Sequence, residues 1–293
     1  MSFESVRYRD WSGGLQPSWL ACWPIARTGL LLVLRRKMFW LLLGLALLNF
    51  LFVFATIYLK AQVASQNPGL SRFVDRVLSS VTGTGETYRD FMFAQGTVTM
   101  LLLAFAGAML VGDDMRQGGL TFYLSRRVSR WQYVLGKLLS IGLLVSLTTT
   151  VPALILFVQY GLLAESTSYF RENLSILRGI LGYGLILSVT LSLLLVAMAS
   201  WLQKTVPLVM SWACLFVMIP ALAALLRRTF DDRNWRLLML WRDIRLLGTW
   251  CFGGIDTDRE LQSLLPATVI VVLVCVLSIV AIVPRVRAVR VVQ

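Results

Sequence analysis

Residues 179–203 read GILGYGLILSVTLSLLLVAMASWLQ, and this run decides the fold. It contains no charged side chain, and about 20 consecutive apolar residues suffice to cross the roughly 30 Å hydrocarbon core of a bilayer as a helix. Five further charge-free runs meet the same length: Met38–Leu59, Phe91–Val111, Leu138–Ala164, Thr205–Leu226 and Leu261–Pro284. A soluble domain has room for one buried helix of that kind, but not for six in 293 residues. Composition agrees, with 57% hydrophobic and 15% charged residues and a mean hydropathy of +0.73, against roughly 45–50% and 25% in soluble domains. The expected fold is an all-α membrane protein of six transmembrane helices.

Several function classes are disfavoured at once. Histidine is absent, which removes the commonest metal ligand and the commonest proton carrier near neutral pH. Cys22, Cys214, Cys251 and Cys275 are far apart and form no C-x-x-C pair, so no zinc or redox motif is present. Cys214 and Cys275 fall inside apolar runs, where a thiol acts as a small hydrophobe. The net charge of +13 suits anionic lipid beside membrane spans better than nucleic acid. The one Gly-Lys pair, Gly136-Lys137, lacks the glycine loop of a P-loop. With no charge inside the six runs, a titratable relay of the kind ion-coupled transporters use has no residues at depth. An intramembrane hydrolase would need a nucleophile with a base, and that pair is missing as well. No catalytic, cofactor-binding or metal site is expected on this chain.

Residues 1–37 precede the first run. The polar, mixed-charge leader argues against a cleavable signal peptide. Within it, 22–37 is apolar, with Trp19 and Trp23 near its start and Arg35-Arg36-Lys37 at its end. Two readings fit: an amphipathic helix lying at the interface, or an upstream extension of the first span. Four basic residues from Arg27 to Lys37 face only Lys60 beyond the first run, which places the N-terminus in the cytoplasm. Six spans return the tail 285–293, with Arg285, Arg287 and Arg290, to the same side. Segment 112–137 is then cytoplasmic, and 60–90 is a small outer cap. Segment 227–260 falls outside, although it holds seven arginines against six acids. There Leu237, Leu240, Trp241, Ile244 and Leu247 recur at helical spacing, with Arg236, Asp243 and Arg245 off that stripe. A helix lying on or re-entering the outer leaflet fits, as does one that only covers the spans.

Inside the runs, the mildly polar residues (Asn49, Gln95, Thr99, Thr148–Thr150, Gln159 and Ser188 among them) are expected to tie helices together or bond back to their own carbonyls. Ala104, Gly107 and Ala108 allow close helix approach, within the bundle or at a dimer seam. Pro152 and Pro220 are expected to kink the third and fifth spans.

The connecting segment Gly112–Lys137 reads GDDMRQGGLTFYLSRRVSRWQYVLGK and carries five basic and two acidic side chains. Asp113 and Asp114 suit a helix start, and Gly118-Gly119 permits a sharp bend or a close backbone approach. Leu120, Phe122, Tyr123 and Leu124 form an apolar body. Ser129 with Gln132 makes a capping box that opens the third helix, with Trp131 and Tyr133 at the interface level. The order Asp114, Gly119-Leu120, Leu124-Ser125, Val128-Ser129-Arg130 and Gly136-Lys137 resembles the region after the second span in type-2 permeases of bacterial ABC transporters. Gly118 stands without the usual threonine and Arg127 replaces the usual proline.

The resemblance implies that this segment is a coupling helix seated in a groove of a separate ATPase subunit, which holds the ATP and Mg. Its coupling residues would be Asp113, Asp114, Arg116, Gly118, Gly119, Leu120, Phe122, Tyr123, Leu124, Ser125, Arg126, Arg127, Ser129 and Arg130. It further implies a homodimer, or a heterodimer with a second permease, in the bacterial cytoplasmic (inner) membrane, with both termini cytoplasmic and an exporter's activity. Two rivals remain: an ATPase-driven subunit doing mechanical work on an envelope partner, and a membrane scaffold without an ATPase.

Overall fold

The computed structural model describes residues 18–66, 83–116, 128–163, 168–231, 233–255 and 258–286. Six helices are long and apolar enough to cross a membrane. They are α2 (Lys37–Gln66), α3 (Gly85–Arg116), α4 (Arg130–Leu163), α6 (Leu174–Trp201), α7 (Thr205–Phe230) and α9 (Asp258–Arg285). Three shorter helices complete the set: α1 (Cys22–Leu34), α5 (Ser168–Glu172) and α8 (Leu240–Cys251). No strand occurs among the described residues. The chain is an all-α membrane protein.

The core lies where α6 meets α3, α4, α8 and α9. Tyr183, Leu187, Leu191 and Leu195 of α6 are buried there. Helices α2, α7 and α9 leave most of their apolar surface outward, for example Leu48, Met210 and Leu265, as lipid-facing helices do. Several polar side chains inside the bundle find partners on neighbouring helices. Asn49 donates to Gln95 at 2.9 Å, and Gln95 donates to the Ala46 carbonyl at 3.1 Å. Thr99 and Thr148 share a 2.8 Å bond, Ser146 and Ser188 one of 3.0 Å, and Gln159 donates to the Phe54 carbonyl at 3.0 Å. These groups fasten α2, α3, α4 and α6 to one another, since a polar group facing hydrocarbon without a partner is costly.

The helices outrun the charge-free runs. α4 begins at Arg130, eight residues before the third run, because the Ser129–Gln132 capping box forms in full. Its first two turns therefore bring Lys137 into the helix, where it is buried. Lys137, counted as loop in the sequence, is thus a charge inside the bundle. Irregular turns accompany Pro152 and Pro220. The third span is interrupted at Thr149, three residues before Pro152, and α7 carries a π turn at Cys214–Met218 just ahead of Pro220. A missing N–H at proline leaves a carbonyl one turn earlier without its bond, and the helix widens to accommodate it.

Two segments that the sequence left open take definite positions against the bundle. α1 is a helix of its own, turning at Arg35-Arg36 before α2 starts. Trp40 of α2 donates to the Leu34 carbonyl at 2.9 Å, satisfying one of the acceptors orphaned at the end of α1. α1 buries Ile25, Ala26, Gly29 and Val33 against the bundle and leaves Trp23, Leu31 and Leu32 exposed. Segment 227–260 begins with the last turn of α7, and its central part is α8, which packs on α3, α6 and α9. Leu240, Ile244 and Leu247 are buried, and Trp241 stacks on Phe93 with ring centroids 5.0 Å apart.

Asp243 departs from the pattern. It was placed off the apolar stripe, yet it is 2% exposed. Positions 240, 243, 244 and 247 follow i, i+3, i+4, i+7 spacing and share one face. With three helices around α8, Asp243 is shielded from bulk solvent and meets only the enclosed space beside Arg242.

Candidate functional site

Polar groups converge at two places, one at each end of the bundle. The first is the end where α3 stops and α4 starts, the loop end. Here α3 finishes in a π turn, Ala108–Gly112, followed by Asp113–Arg116. Gly112 touches the turn between α6 and α7 so closely that a Cβ would lie 2.7 Å from the Gln203 carbonyl oxygen. π turns are rare and often mark functional positions; this one sets where Asp114 emerges.

Opposite it stands the start of α4. The Ser129 N–H donates to Gln132 Oε1 at 2.7 Å, and the Gln132 N–H donates to Ser129 Oγ at 3.3 Å. One turn further along, Lys137 Nζ lies 2.6 Å from Asp114 Oδ2, and the Tyr133 hydroxyl donates to the same oxygen at 3.3 Å. The Lys137 ammonium also sits 5.6 Å from the Tyr133 ring centroid. Lys137's side chain is only 7% exposed against 25% for Asp114, so the ammonium depends on this carboxylate for its neutralisation. Gly136, beside it, lies against α1, with Ile25 2.8 Å and the Cys22 carbonyl 3.1 Å from where its Cβ would stand. The clamp thus joins the end of α3, the start of α4 and helix α1.

Of the expected coupling residues, Asp113 and Asp114 are half-buried, and Arg116, Ser129 and Arg130 are exposed around the clamp. Gly118, Gly119, Leu120, Phe122, Tyr123, Leu124, Ser125, Arg126 and Arg127 lie outside the described residues. Trp131 is exposed, but Tyr133, expected beside it at the interface, is fully buried. Neither Tyr133 nor Lys137 stood among the expected site residues. Their separation by four positions, one turn apart on one helix face, was the signal available. Ala104, Gly107 and Ala108 are buried within this chain, where Gly107 abuts Leu195 and Leu208.

The second convergence lies at the far end, around α8. A cavity of about 800 Å³ is lined there by Arg89, Arg236, Arg242, Arg245, Asp243 and Glu260, among others. Asp90 pairs with Arg245 at 2.8 Å and with Arg89 at 2.9 Å, and Arg245 lies 4.8 Å over the Phe93 ring. Asp243 Oδ2 is buried without a hydrogen-bond partner among the described residues.

Burial pushes the Asp243 carboxyl up to about 7, and nearby Arg242 only partly opposes this. Because the folded value lies above the ordinary one near 3.8, the folded chain binds more proton across that window. Stability is therefore lost as pH rises from about 4 to about 7. Asp243→Asn, which imitates the neutral acid, is expected to melt higher than the parent at pH 8. That advantage should shrink by about 3 kcal/mol on going to pH 5. A difference in melting temperature that stays flat over this range would refute the assignment.

Comparison with protein-family models and with characterised proteins returned no match to this chain.

Proposed function

We propose that this chain is the membrane-spanning permease subunit of a bacterial ATP-driven ABC exporter, coupled through 112–137 to a separate ATPase subunit. On this reading the loop end is cytoplasmic, both termini lie on that side, and the permease pairs with a second copy or a related chain in the cytoplasmic membrane. The observation that carries the reading is the clamp of Asp114, Lys137 and Tyr133. A segment that only connects two spans has no need of a buried ion pair at its base. A segment that transmits force does: with its feet fastened together, a push on 117–127 moves α3, α4 and α1 as one body. The six charge-free runs, together with the resemblance of the Asp114–Lys137 pattern to type-2 permeases, point the same way.

The role of this chain's own residues follows. Exposed Arg116 and Arg130 flank the segment and present positive charge to the ATPase surface. Asp114 and Lys137 hold the base of the segment rigid. Gly112, lying on the turn between α6 and α7, relays displacement toward the centre of the bundle. ATP hydrolysis belongs to the partner, and this chain supplies the lever.

Co-expression with an ABC ATPase subunit from the same genome tests the reading. The wild-type chain is expected to retain that ATPase through detergent purification. A Gly119→Trp/Arg130→Glu double variant should retain at least about tenfold less while keeping the parent's melting temperature. A folded wild-type bundle that never holds the ATPase would sink the proposal.

A further inference from the structure

The far-end cavity does not stand by itself. Below it, along the same helices, runs an apolar groove of about 420 Å³, with Leu194, Leu215, Leu240, Val274, Leu277 and Ala281 in its wall. Helix α8 divides the two spaces. Arg242 and Asp243 face the polar chamber, and Leu240, one turn earlier, faces the groove. α9 contributes to both, with Gln262, Ser263 and Pro266 above and Val274 to Ala281 below. From Pro266 to Ala281 the helix descends about 22 Å at about 1.5 Å per residue.

The two compartments differ sharply in chemistry. Among the described residues the upper one is lined by Arg89, Arg236, Arg242 and Arg245 with Asp243 and Glu260. Asp90 pairs with Arg89 and Arg245 from beside it, and guanidinium groups bind oxyanions through paired N–H donors. It also contains the buried Asp243 Oδ2, an acceptor without a hydrogen-bond partner among the described residues. A buried polar atom left in that state costs free energy that a ligand's donor removes. The lower compartment is almost wholly apolar, and the Val274–Ala281 stretch of α9 that lines it, about 10 Å long, holds part of an acyl chain.

We infer that chamber and groove together bind a single anionic amphiphile, its phosphate-type headgroup among Arg236, Arg242 and Arg245, and its hydrocarbon chain along α9 below Leu240. Asp243 accepts a hydrogen bond from a hydroxyl or ammonium adjacent to the oxyanion. A ligand filling both spaces has its head at the far end of the bundle and its chain directed toward the loop end, the orientation of a lipid of the far leaflet. That the occupant is cargo rests on the permease reading; the binding site itself does not.

Native mass spectrometry of the full chain in detergent, titrated with phosphatidylglycerol and with phosphatidylcholine, tests the inference. Phosphatidylglycerol is expected to bind at least about tenfold more tightly, since its headgroup is net anionic, whereas the choline cation of phosphatidylcholine is repelled by the arginines and offers Asp243 no donor. Arg236→Gln/Arg242→Gln should remove most of that preference. Leu277→Trp, at an outward-facing groove position that leaves the fold intact, should weaken phosphatidylglycerol about tenfold and leave glycerol phosphate unaffected. Equal binding of the two lipids by the wild type overturns the inference. So does competition by free glycerol phosphate at the same concentration as the lipid, because the groove would then contribute nothing. ATPase retention is read in a separate purification, so loss of lipid selectivity and loss of the permease reading are distinguishable.

Discussion

Asp114→Ala is expected to be the most damaging single substitution at the loop end, lowering stability by about 3–5 kcal/mol. The asymmetry of the clamp determines which partner matters more. Lys137 is 7% exposed and Asp114 25%, so removing the carboxylate strands an ammonium that water barely reaches. Removing the ammonium leaves a carboxylate that still touches solvent and still accepts from Tyr133. Lys137→Met should therefore cost clearly less than Asp114→Ala. The double variant Asp114→Leu/Lys137→Met should regain most of the loss, because two apolar side chains replace the pair with neither charge stranded.

Thermal unfolding in detergent orders the three proteins. If the double variant melts as low as Asp114→Ala, the pair is not the cause of the loss. The double variant also separates stability from coupling. It is expected to fold and to hold the ATPase, yet to fall at least about tenfold in ATP-driven transport, since the feet of the segment are no longer joined. Full transport by that variant would leave the clamp a structural feature only.

The sequence disclosed the helices well and the clamp hardly at all, for one physical reason. Spans such as Gly179–Gln203 are set by local composition, because a lipid-facing backbone has no option but to bond within its own helix. Ser129 and Gln132 were legible likewise, since a capping box is closed over three residues. Lys137 was not, because its burial depends on Asp114 across a connection of more than twenty residues, and the charge-free criterion stops just short of it. Asp243 failed differently. Its i, i+3 relation to Leu240 was visible, but an acid on an apolar face is assigned to water unless three neighbouring helices are known to close around it. Those neighbours, α3, α6 and α9, come from widely separated stretches of the chain.

Gly112→Val is expected to produce the second largest effect, and the contrast with other glycines makes it diagnostic. A Cβ at position 112 would meet backbone only, with the Gln203 carbonyl oxygen at 2.7 Å, its carbon at 3.2 Å and its Cα at 3.4 Å. A side chain can rotate away from such a clash, whereas the tight turn between α6 and α7 has no such freedom, so α3 must move instead. Overpacking of this kind costs about 1–3 kcal/mol, and the displacement carries Asp114, two residues on, away from Lys137. Gly136→Val meets a side chain, Ile25, as well as the Cys22 carbonyl, and part of that contact yields. Gly44 has nothing within 4 Å of its would-be Cβ, so Gly44→Ala should be neutral or raise stability by up to about 1 kcal/mol through helix propensity. Melting temperatures should therefore rise in the order Gly112→Val, Gly136→Val, parent, Gly44→Ala. Only Gly112→Val should also mimic the transport defect of the charge-free clamp variant, because it alone shifts the base of the segment without touching either charge. A Gly112→Val protein with the parent's melting temperature and transport would show that α3 does not rest on the turn at Gln203.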